Sequence, residues 1–289
     1  MNFTELGLDK SLVTSIEKQN ITTPTTIQEK AIPLALEGKD LIAESATGSG
    51  KTIAFGCSMI ERLGDDTLSG LVIAPTREIA QQVTEVFKTL TTRNVVPVYG
   101  GVAIGPQIDK VKTASIVVGT PGRLLDLMSR GELDFSNINV LVLDEADKMF
   151  EMGFIDDIKR ILSATPDDRQ TLLFSATFSA QVEAIARKYM NEPQRIKGQE
   201  RVDPAKLRQT YYQIPKNLKF SLLVHLLKNE KEQLTLVFAN TKRMVDQLAN
   251  NLKEQGIKAR AVHGDLSQNK RDRSLDDLKS QRSQYGLQL

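Results

Sequence analysis

Residues 40–55 read "DLIAESATGSGKTIAF", and the order of residue types in this stretch decides the fold. Leu41, Ile42 and Ala43 are a short apolar run, the segment from Ser45 to Thr52 carries two glycines, and an apolar helical stretch follows from Ile53. A strand, a Gly-rich loop and a helix in that order make an anion-binding turn. The glycines let backbone N–H groups face inward, and the helix points its positive N-terminus at the same place. "SATGSGKT" matches the phosphate-binding pattern G-x-x-x-x-G-K-[ST], except that Ser45 stands at the first glycine. In that pattern Ala46, Thr47, Gly48, Ser49 and Gly50 form the cradle for nucleotide phosphates. Lys51 reaches the β and γ oxygens, and Thr52 offers a hydroxyl to Mg²⁺.

Working outward, short apolar runs alternate with helix-period segments along most of the chain. The runs expected to be strands are Asp40–Ala43, Leu71–Ala74, Val95–Tyr99, Ile116–Val118, Val140–Leu143 and Thr171–Phe174. They are apolar at successive positions, as strands covered by helices on both faces must be. Among the helices, Ile79, Val83, Val86, Phe87 and Leu90 make one apolar stripe. This alternation implies an α/β chain with a mostly parallel, doubly wound sheet. From Asn191 to Gln209 the text turns polar and is broken by Pro and Gly, which reads as a linker. Beyond it a helix is expected around Leu218–Lys228 and a strand at Leu234–Phe238. Next comes a helix with Met244, Val245, Leu248 and Leu252 inward and Gly256 as its stop, then a strand at Ile257–Val262. The expected organisation is a first domain over 1–200, a linker over 201–212 and an incomplete second domain over 213–289.

Each strand of the first domain delivers small, polar or charged residues to one edge. "PTRE" follows "LVIA", "TPGR" follows "SIVVG", "DEAD" follows "VLVL", and "SAT" follows "TLLF". Ligands of open α/β sheets bind at the carboxyl ends of the strands. The acidic cluster after Leu143 would be costly to bury unpaired. A phosphate loop nearby resolves this, because Mg²⁺ and Lys51 are the positive charges that meet it. Asp144 is then placed beside the metal, largely through water, and Glu145 to orient or deprotonate an attacking water.

Composition narrows the classes. The 289 residues are 40% hydrophobic and 26% charged, with a net charge of +2. That balance argues against bulk electrostatic capture of a polyanion, so a nucleic-acid site must be local. The single cysteine, Cys57, excludes an intramolecular disulfide and a CxxC metal site. No apolar run nears the roughly 20 residues needed to span a bilayer. "MNFTELGLDK" has neither a basic nor an apolar signal region, and the expected location is cytoplasmic.

"DEAD" preceded by "VLVL", with "PTRE", "TPGR" and "SAT" in this order, resembles the DEAD-box ATP-dependent RNA helicases over residues 1–275. The resemblance implies a RecA-like first domain and a second RecA-like domain, with ATP and RNA bound across a cleft between them. It implies that Gln28 in "TTPTTIQ" reads the adenine edge and that Phe3 stacks on its ring. Ser175 and Thr177 would couple nucleotide state to strand separation through Asp147. RNA would meet Thr76, Arg77, Gly100, Gly101, Thr120, Gly122 and Arg123, and Asn240, Thr241, Gln268 and Arg271 in the second domain. These are contacts to the sugar–phosphate backbone that read no bases. Read from the residues alone, Gly100–Gly101 is a tight turn, Ser175 and Thr177 are turn residues or caps, and His263 in "HGD" is structural.

The sequence departs from the family pattern in two places. Ser45 stands where the family has Ala. The Arg-rich motif HRxGRxGR, whose arginines act on the γ-phosphate, is not in the text, which finishes in "LKSQRSQYGLQL". The expected function is an ATP-dependent RNA helicase that couples ATP hydrolysis to local duplex opening. The alternative is a catalytically weak, nucleotide-regulated RNA-binding fragment. Another phosphate-loop ATPase, such as a DNA translocase, is disfavoured by Gln28 and the joined "PTRE" and "TPGR" elements.

Overall fold

Successive residues of each central strand feed two different cores, which explains why the strands read as unbroken apolar runs. In Val140–Leu143, Val140 and Val142 pack on one face with Val72, Val118 and Phe174. Leu141 and Leu143 pack on the other with Leu71, Val117 and Leu173. The computed structural model describes residues 2–46, 48–64, 68–198, 208–229, 235–267, 270, 271, 273, 274, 277 and 285–288, and structural statements are made of these. The chain divides into two compact units, Met1–Leu207 and Arg208–Leu289.

In the first unit a 3₁₀ turn at Thr4–Leu6 precedes α1 (Lys10–Glu17), α2 (Thr26–Leu36), β1 (Leu41–Glu44) and α3 (Lys51–Arg62). Then come β2 (Gly70–Ile73), α4 (Arg77–Leu90), β3 (Val95–Val98), α5 (Gly105–Val111), β4 (Ile116–Gly119) and α6 (Pro121–Ser129). β5 (Val140–Leu143), α7 (Ala146–Glu151), α8 (Ile155–Ser163), β6 (Gln170–Ser175), α9 (Ala180–Tyr189) and β7 (Gln194–Lys197) complete it. The strands form one seven-stranded sheet in the order β3-β4-β2-β5-β6-β1-β7, parallel throughout. This is an α/β, RecA-like doubly wound sheet. Its connections bring the carboxyl ends of β1, β2, β4, β5 and β6 to one rim. On α4, Val83, Phe87 and Leu90 are buried, and Ile79 and Val86 pack against the same core from its margin.

β7 corrects the linker expected from Asn191 onward. It pairs with β1 over Gln194–Lys197, although only Ile196 is buried. An edge strand with one apolar residue carries no alternation to read, and its place is fixed by hydrogen bonds instead. Asp40 accepts from Thr171 N–H (2.7 Å) through one oxygen and from Asn191 N–H (2.7 Å) through the other. At the opposite edge, Thr120 N–H donates to Val98 O and Ile116 N–H to Asn94 O. Even-numbered positions of β3 therefore face β4, and Pro97 places its donorless nitrogen on the open side.

The second unit has a 3₁₀ turn at Lys216–Leu218, α10 (Lys219–Asn229), β8 (Thr235–Phe238), α11 (Lys242–Glu254), β9 (Ala259–Val262) and β10 (Tyr285–Gln288). Its described strands run parallel in the order β8-β10-β9. β10 falls in a polar tail that carries no strand pattern; backbone pairing to strands on both sides places it. Met244, expected inward, is 49% exposed. The buried stripe of α11 is Val245, Ala249 and Leu252, and Met244 in the first turn lies beyond its margin. Gly256 ends the helix at φ +76°. No helix among the described residues is long and apolar enough to cross a membrane.

Candidate functional site

The loop between β1 and α3 turns on Gly48 (φ +80°) and Gly50 (φ +89°). A Cβ at Gly50 would lie 2.5 Å from Gln28 Nε2, so that position admits only glycine, whereas at Gly48 it would meet nothing within 4 Å. The close approach at Gly50 has a purpose. Gln28 is buried; its Nε2 donates to Gly50 O (2.9 Å), and its Oε1 accepts Thr25 N–H (2.8 Å). Thr25 Oγ1 donates to Ser49 O (2.8 Å). The capping box that starts α2 thus also holds the loop. Ser45 N–H donates to Ser175 O (2.9 Å), and the Ser45 and Ser49 hydroxyls pair with each other. Thr52 lies in the first turn of α3, and Ala46 enters the loop directly after Ser45. Thr47 lies outside the described residues.

Lys51, the first residue of α3, faces the end of β5. Its Nζ is 3.5 Å from Asp144 Oδ1 and 3.6 Å from Glu145 Oε1, with Lys51 6%, Asp144 2% and Glu145 4% exposed. Burial is the main force on Asp144 and pushes its carboxyl up to about 6; Lys51 opposes this and Glu145 adds to it. Glu145 sits in the left-handed region (φ +53°, ψ +49°), and Lys148 Nζ holds its other oxygen at 2.9 Å. For a non-glycine residue that conformation is strained, and strain of this kind gathers at functional sites. Asp147 Oδ2 accepts from Ala176 N–H (3.2 Å) and, at 3.5 Å, the Thr177 hydroxyl. The Ser175 hydroxyl turns to Thr177 O (2.8 Å), so "SAT" meets Asp147 through Ala176 and Thr177 rather than Ser175.

Phe3 is a correction. It is 2% exposed and packs in the apolar cluster with Leu6, Leu8 and Leu12. So placed, its ring anchors the N-terminal segment, and a base could stack on it only by displacing that packing. Cys57 is buried, and burial pushes its thiol up to about 12, as an inert core cysteine requires.

Further along the rim, Thr76 caps α4 by accepting Ile79 N–H (3.3 Å), and the Arg77 guanidinium lies 4.8 Å from the Tyr99 ring centroid. Gly100 and Gly101 follow Tyr99, with Gly101 at φ +80° and open space where either would carry a Cβ. Arg123 Nη2 donates to Val102 O (3.1 Å), Thr120 N–H donates to Val98 O (2.9 Å), and a Cβ at Gly122 would also meet open space. The three elements expected to touch RNA in the first unit therefore share one surface. In the second unit Thr241 caps α11 by accepting Met244 N–H (3.2 Å), directly after Asn240. Arg271 N–H donates to Ser267 O (3.1 Å), and Gln268 lies outside the described residues. His263 is buried and pairs with Asp246 (2.9 Å).

Four residues of these sites were not foreseen: Thr25, Tyr99, Lys148, and Gln107, whose side-chain amide bonds both backbone groups of Tyr99 (2.9 and 3.2 Å). Thr25 had a legible signal, because Thr-x-x-Gln before an apolar run is a capping box. Lys148 had one as well, since it stands three residues after Glu145 at the spacing of neighbours on a helix, whereas Tyr99 and Gln107 act through contacts that no local pattern announces.

The residues fit a magnesium–nucleotide. Asp144 Oδ1 is buried and makes no hydrogen bond. Thr52 and Asp144 are hard oxygen donors of the kind Mg²⁺ takes. Among the described residues no group of three or more His, Cys, Asp and Glu is arranged to hold a metal, so a cation here would share its shell with phosphate and water.

The family model for DEAD/DEAH box helicases matches residues 25–185, and that for the helicase conserved C-terminal domain matches 218–287. The DEAD-box ATP-dependent RNA helicase CshA of Streptococcus pneumoniae is 45% identical over 287 residues, covering 97% of this chain and 55% of the relative. CshA of Bacillus subtilis is 41% identical over 286 residues, covering 96% and 58%. The chain thus spans little more than half the length of these relatives. Among solved structures, S. cerevisiae Dbp5 bound to RNA and ADP BeF3 superposes with a TM-score of 0.84 at 31% identity, covering 99% of this chain and 75% of that one. A DEAD box protein from Methanococcus jannaschii gives 0.68 at 40% identity, covering 100% and 80%.

Proposed function

We propose, from the premise that this chain belongs to the DEAD/DEAH box helicase family, that its first unit binds ATP and hydrolyses it in response to RNA, opening short duplexes. The observation that carries the reading is the meeting of Lys51 with Asp144 and Glu145 at 3.5 and 3.6 Å, at the foot of the phosphate loop. Lys51 would turn from the carboxylates to the β and γ oxygens of the nucleotide. Asp144 and Thr52 would hold Mg²⁺, which when bound neutralises charge on those oxygens. Glu145, no longer paired with Lys51, would orient the attacking water and take its proton.

Gln28 commits one N–H to Gly50 O and one lone pair to Thr25 N–H. An amide has two donors and two acceptor sites, so one of each remains for adenine N7 and N6. Asp147, bonded to Ala176 and Thr177, ties the helix after the catalytic carboxylates to the end of β6, a route for nucleotide state to reach the rest of the rim. RNA would be held at Thr76, Arg77, Gly100, Gly101, Thr120, Gly122 and Arg123 through its backbone, without reading bases. Asn240, Thr241, Gln268 and Arg271 would add the second unit's share. A cytoplasmic setting supplies both ligands.

The test is phosphate release from the 289-residue chain with and without single-stranded RNA. RNA-stimulated release that Glu145→Gln removes, with ATP binding kept, is the expected result. Release unchanged in Glu145→Gln would refute the base assignment. Nucleotide-dependent RNA binding with no release would favour the nucleotide-regulated RNA-binding reading.

A further inference from the structure

Tyr99 closes β3 at the sheet edge, and its backbone groups lie just beyond the ladder. Gln107, on the first turn of α5 and 7% exposed, takes the place of a neighbouring strand. Its Oε1 accepts Tyr99 N–H (2.9 Å), while its Nε2 donates to Tyr99 O (3.2 Å) and Ala103 O (3.3 Å). One side chain therefore clamps both ends of the segment that contains Gly100 and Gly101. Gly101 has φ +80°, and neither glycine has a neighbour where a Cβ would sit, so the di-glycine itself has no side-chain packing to fix it. The Tyr99 side chain extends the network. Its hydroxyl accepts from Gln81 Nε2 (2.8 Å), and its ring lies under the Arg77 guanidinium at 4.8 Å. From the other side, Arg123 Nη2 donates to Val102 O (3.1 Å).

We infer that Gln107 and Tyr99 are positioning residues for RNA: they set the spacing between Arg77, the Gly100–Gly101 segment and Arg123, without themselves touching the strand. The inference rests on the proposed RNA-binding reading of this rim. The physical reason is preorganisation. A di-glycine segment left free would be ordered by the ligand at the cost of its backbone freedom, whereas a clamped one presents its N–H groups already aligned. Gln107 can do this because a primary amide offers an acceptor and two donors in one plane, the complement of one peptide N–H and two carbonyls. Glutamate has the same shape but offers no donor to Tyr99 O and Ala103 O, and leucine offers nothing to any of the three.

The experiment uses the full chain, a labelled single-stranded oligoribonucleotide read by anisotropy with a non-hydrolysable ATP analogue, and labelled ADP as a second probe. Gln107→Leu and Gln107→Glu should weaken RNA binding about tenfold while ADP affinity stays at the wild-type value, since no atom of the clamp touches the phosphate loop. Tyr99→Phe, which removes one hydroxyl and is the gentler change, should weaken RNA binding by about threefold. Arg123→Ala in the Gln107→Leu background should cost less than in the wild-type chain, because both hold one segment. Unchanged RNA affinity in Gln107→Glu and Tyr99→Phe, with Arg123→Ala still damaging, would overturn the inference and leave the RNA site standing. Parallel loss of RNA and ADP binding with a lowered melting temperature would overturn it in favour of a purely structural role. Absence of RNA binding by the wild-type chain would overturn the RNA reading, and this inference with it.

Discussion

Replacing Lys51 by methionine keeps the side-chain stem and deletes the ammonium. The expected loss is pH-dependent. Asp144 has an ordinary value of 3.8 and is raised to about 6 in the fold, chiefly by burial. A carboxyl raised in the folded state contributes stability below its unfolded value and loses it as pH rises through the folded one. For Asp144 that window runs from about pH 4 to pH 6, and the folded state forgoes about 3 kcal/mol across it at roughly 1.4 kcal/mol per unit.

Without Lys51 the leading influences left on Asp144 are burial and Glu145, and both raise it further. Keeping Asp144 protonated at pH 8 would cost about 6 kcal/mol against an unfolded carboxyl, so the variant can lose at most about 3 kcal/mol beyond the wild-type chain. At pH 5 Asp144 is protonated in both, and its part of the loss falls close to zero. Urea unfolding followed by circular dichroism, at pH 5 and pH 8 without nucleotide, measures the difference. In an Asp144→Asn background the loss on Lys51→Met at pH 8 should shrink, because the charge to be compensated is gone. A loss equal at both pH values, or undiminished in that double variant, would refute the electrostatic account of the pair.

Glu145→Gly and Glu145→Ala both remove the carboxylate, but glycine should be more stable by about 1 kcal/mol in denaturant melts, since φ is +53° there. ADP should bind more tightly than GDP by about tenfold, and Gln28→Ala should lower ADP affinity and narrow that gap; equal affinities by titration would remove the adenine assignment. Cys57, buried and pushed up to about 12, should resist alkylation at pH 8 in the native chain and react at a rate set by unfolding, as mass spectrometry would show.

The sequence made the first unit readable where physics acts locally. Strands such as Val140–Leu143 are apolar on both faces because two helical layers cover them, and the phosphate loop is a local arrangement of Gly48, Gly50 and Lys51. What escaped was decided at a distance. β7 has one buried residue and is placed by Asp40 and β1, and β10 is polar and placed by its two neighbours. In the site, the conjunction of Lys51 with Asp144 and Glu145 was legible because a phosphate loop and an acidic cluster both follow strands expected to be parallel. The dual use of Gln28, the replacement of Ser175 by Ala176 N–H beside Thr177 at Asp147, and the Gln107 clamp depend on side-chain directions that spacing does not encode. Phe3 shows the converse: a resemblance suggested a ligand contact, and packing took the ring.

Pro97, set on the outer strand with its donorless nitrogen turned away from β4, also bears on how the protein behaves at high concentration. A foreign strand laid along β3 would find one rung missing from its ladder and a pyrrolidine ring in its path. Fibril growth by templated strand addition is therefore interrupted at its first contact. Pro97→Val would add a donor to this edge beside Tyr99 N–H, which Gln107 already occupies, and so would lengthen the face that a foreign strand can pair with. The proline thus guards colloidal behaviour rather than the stability of the single molecule.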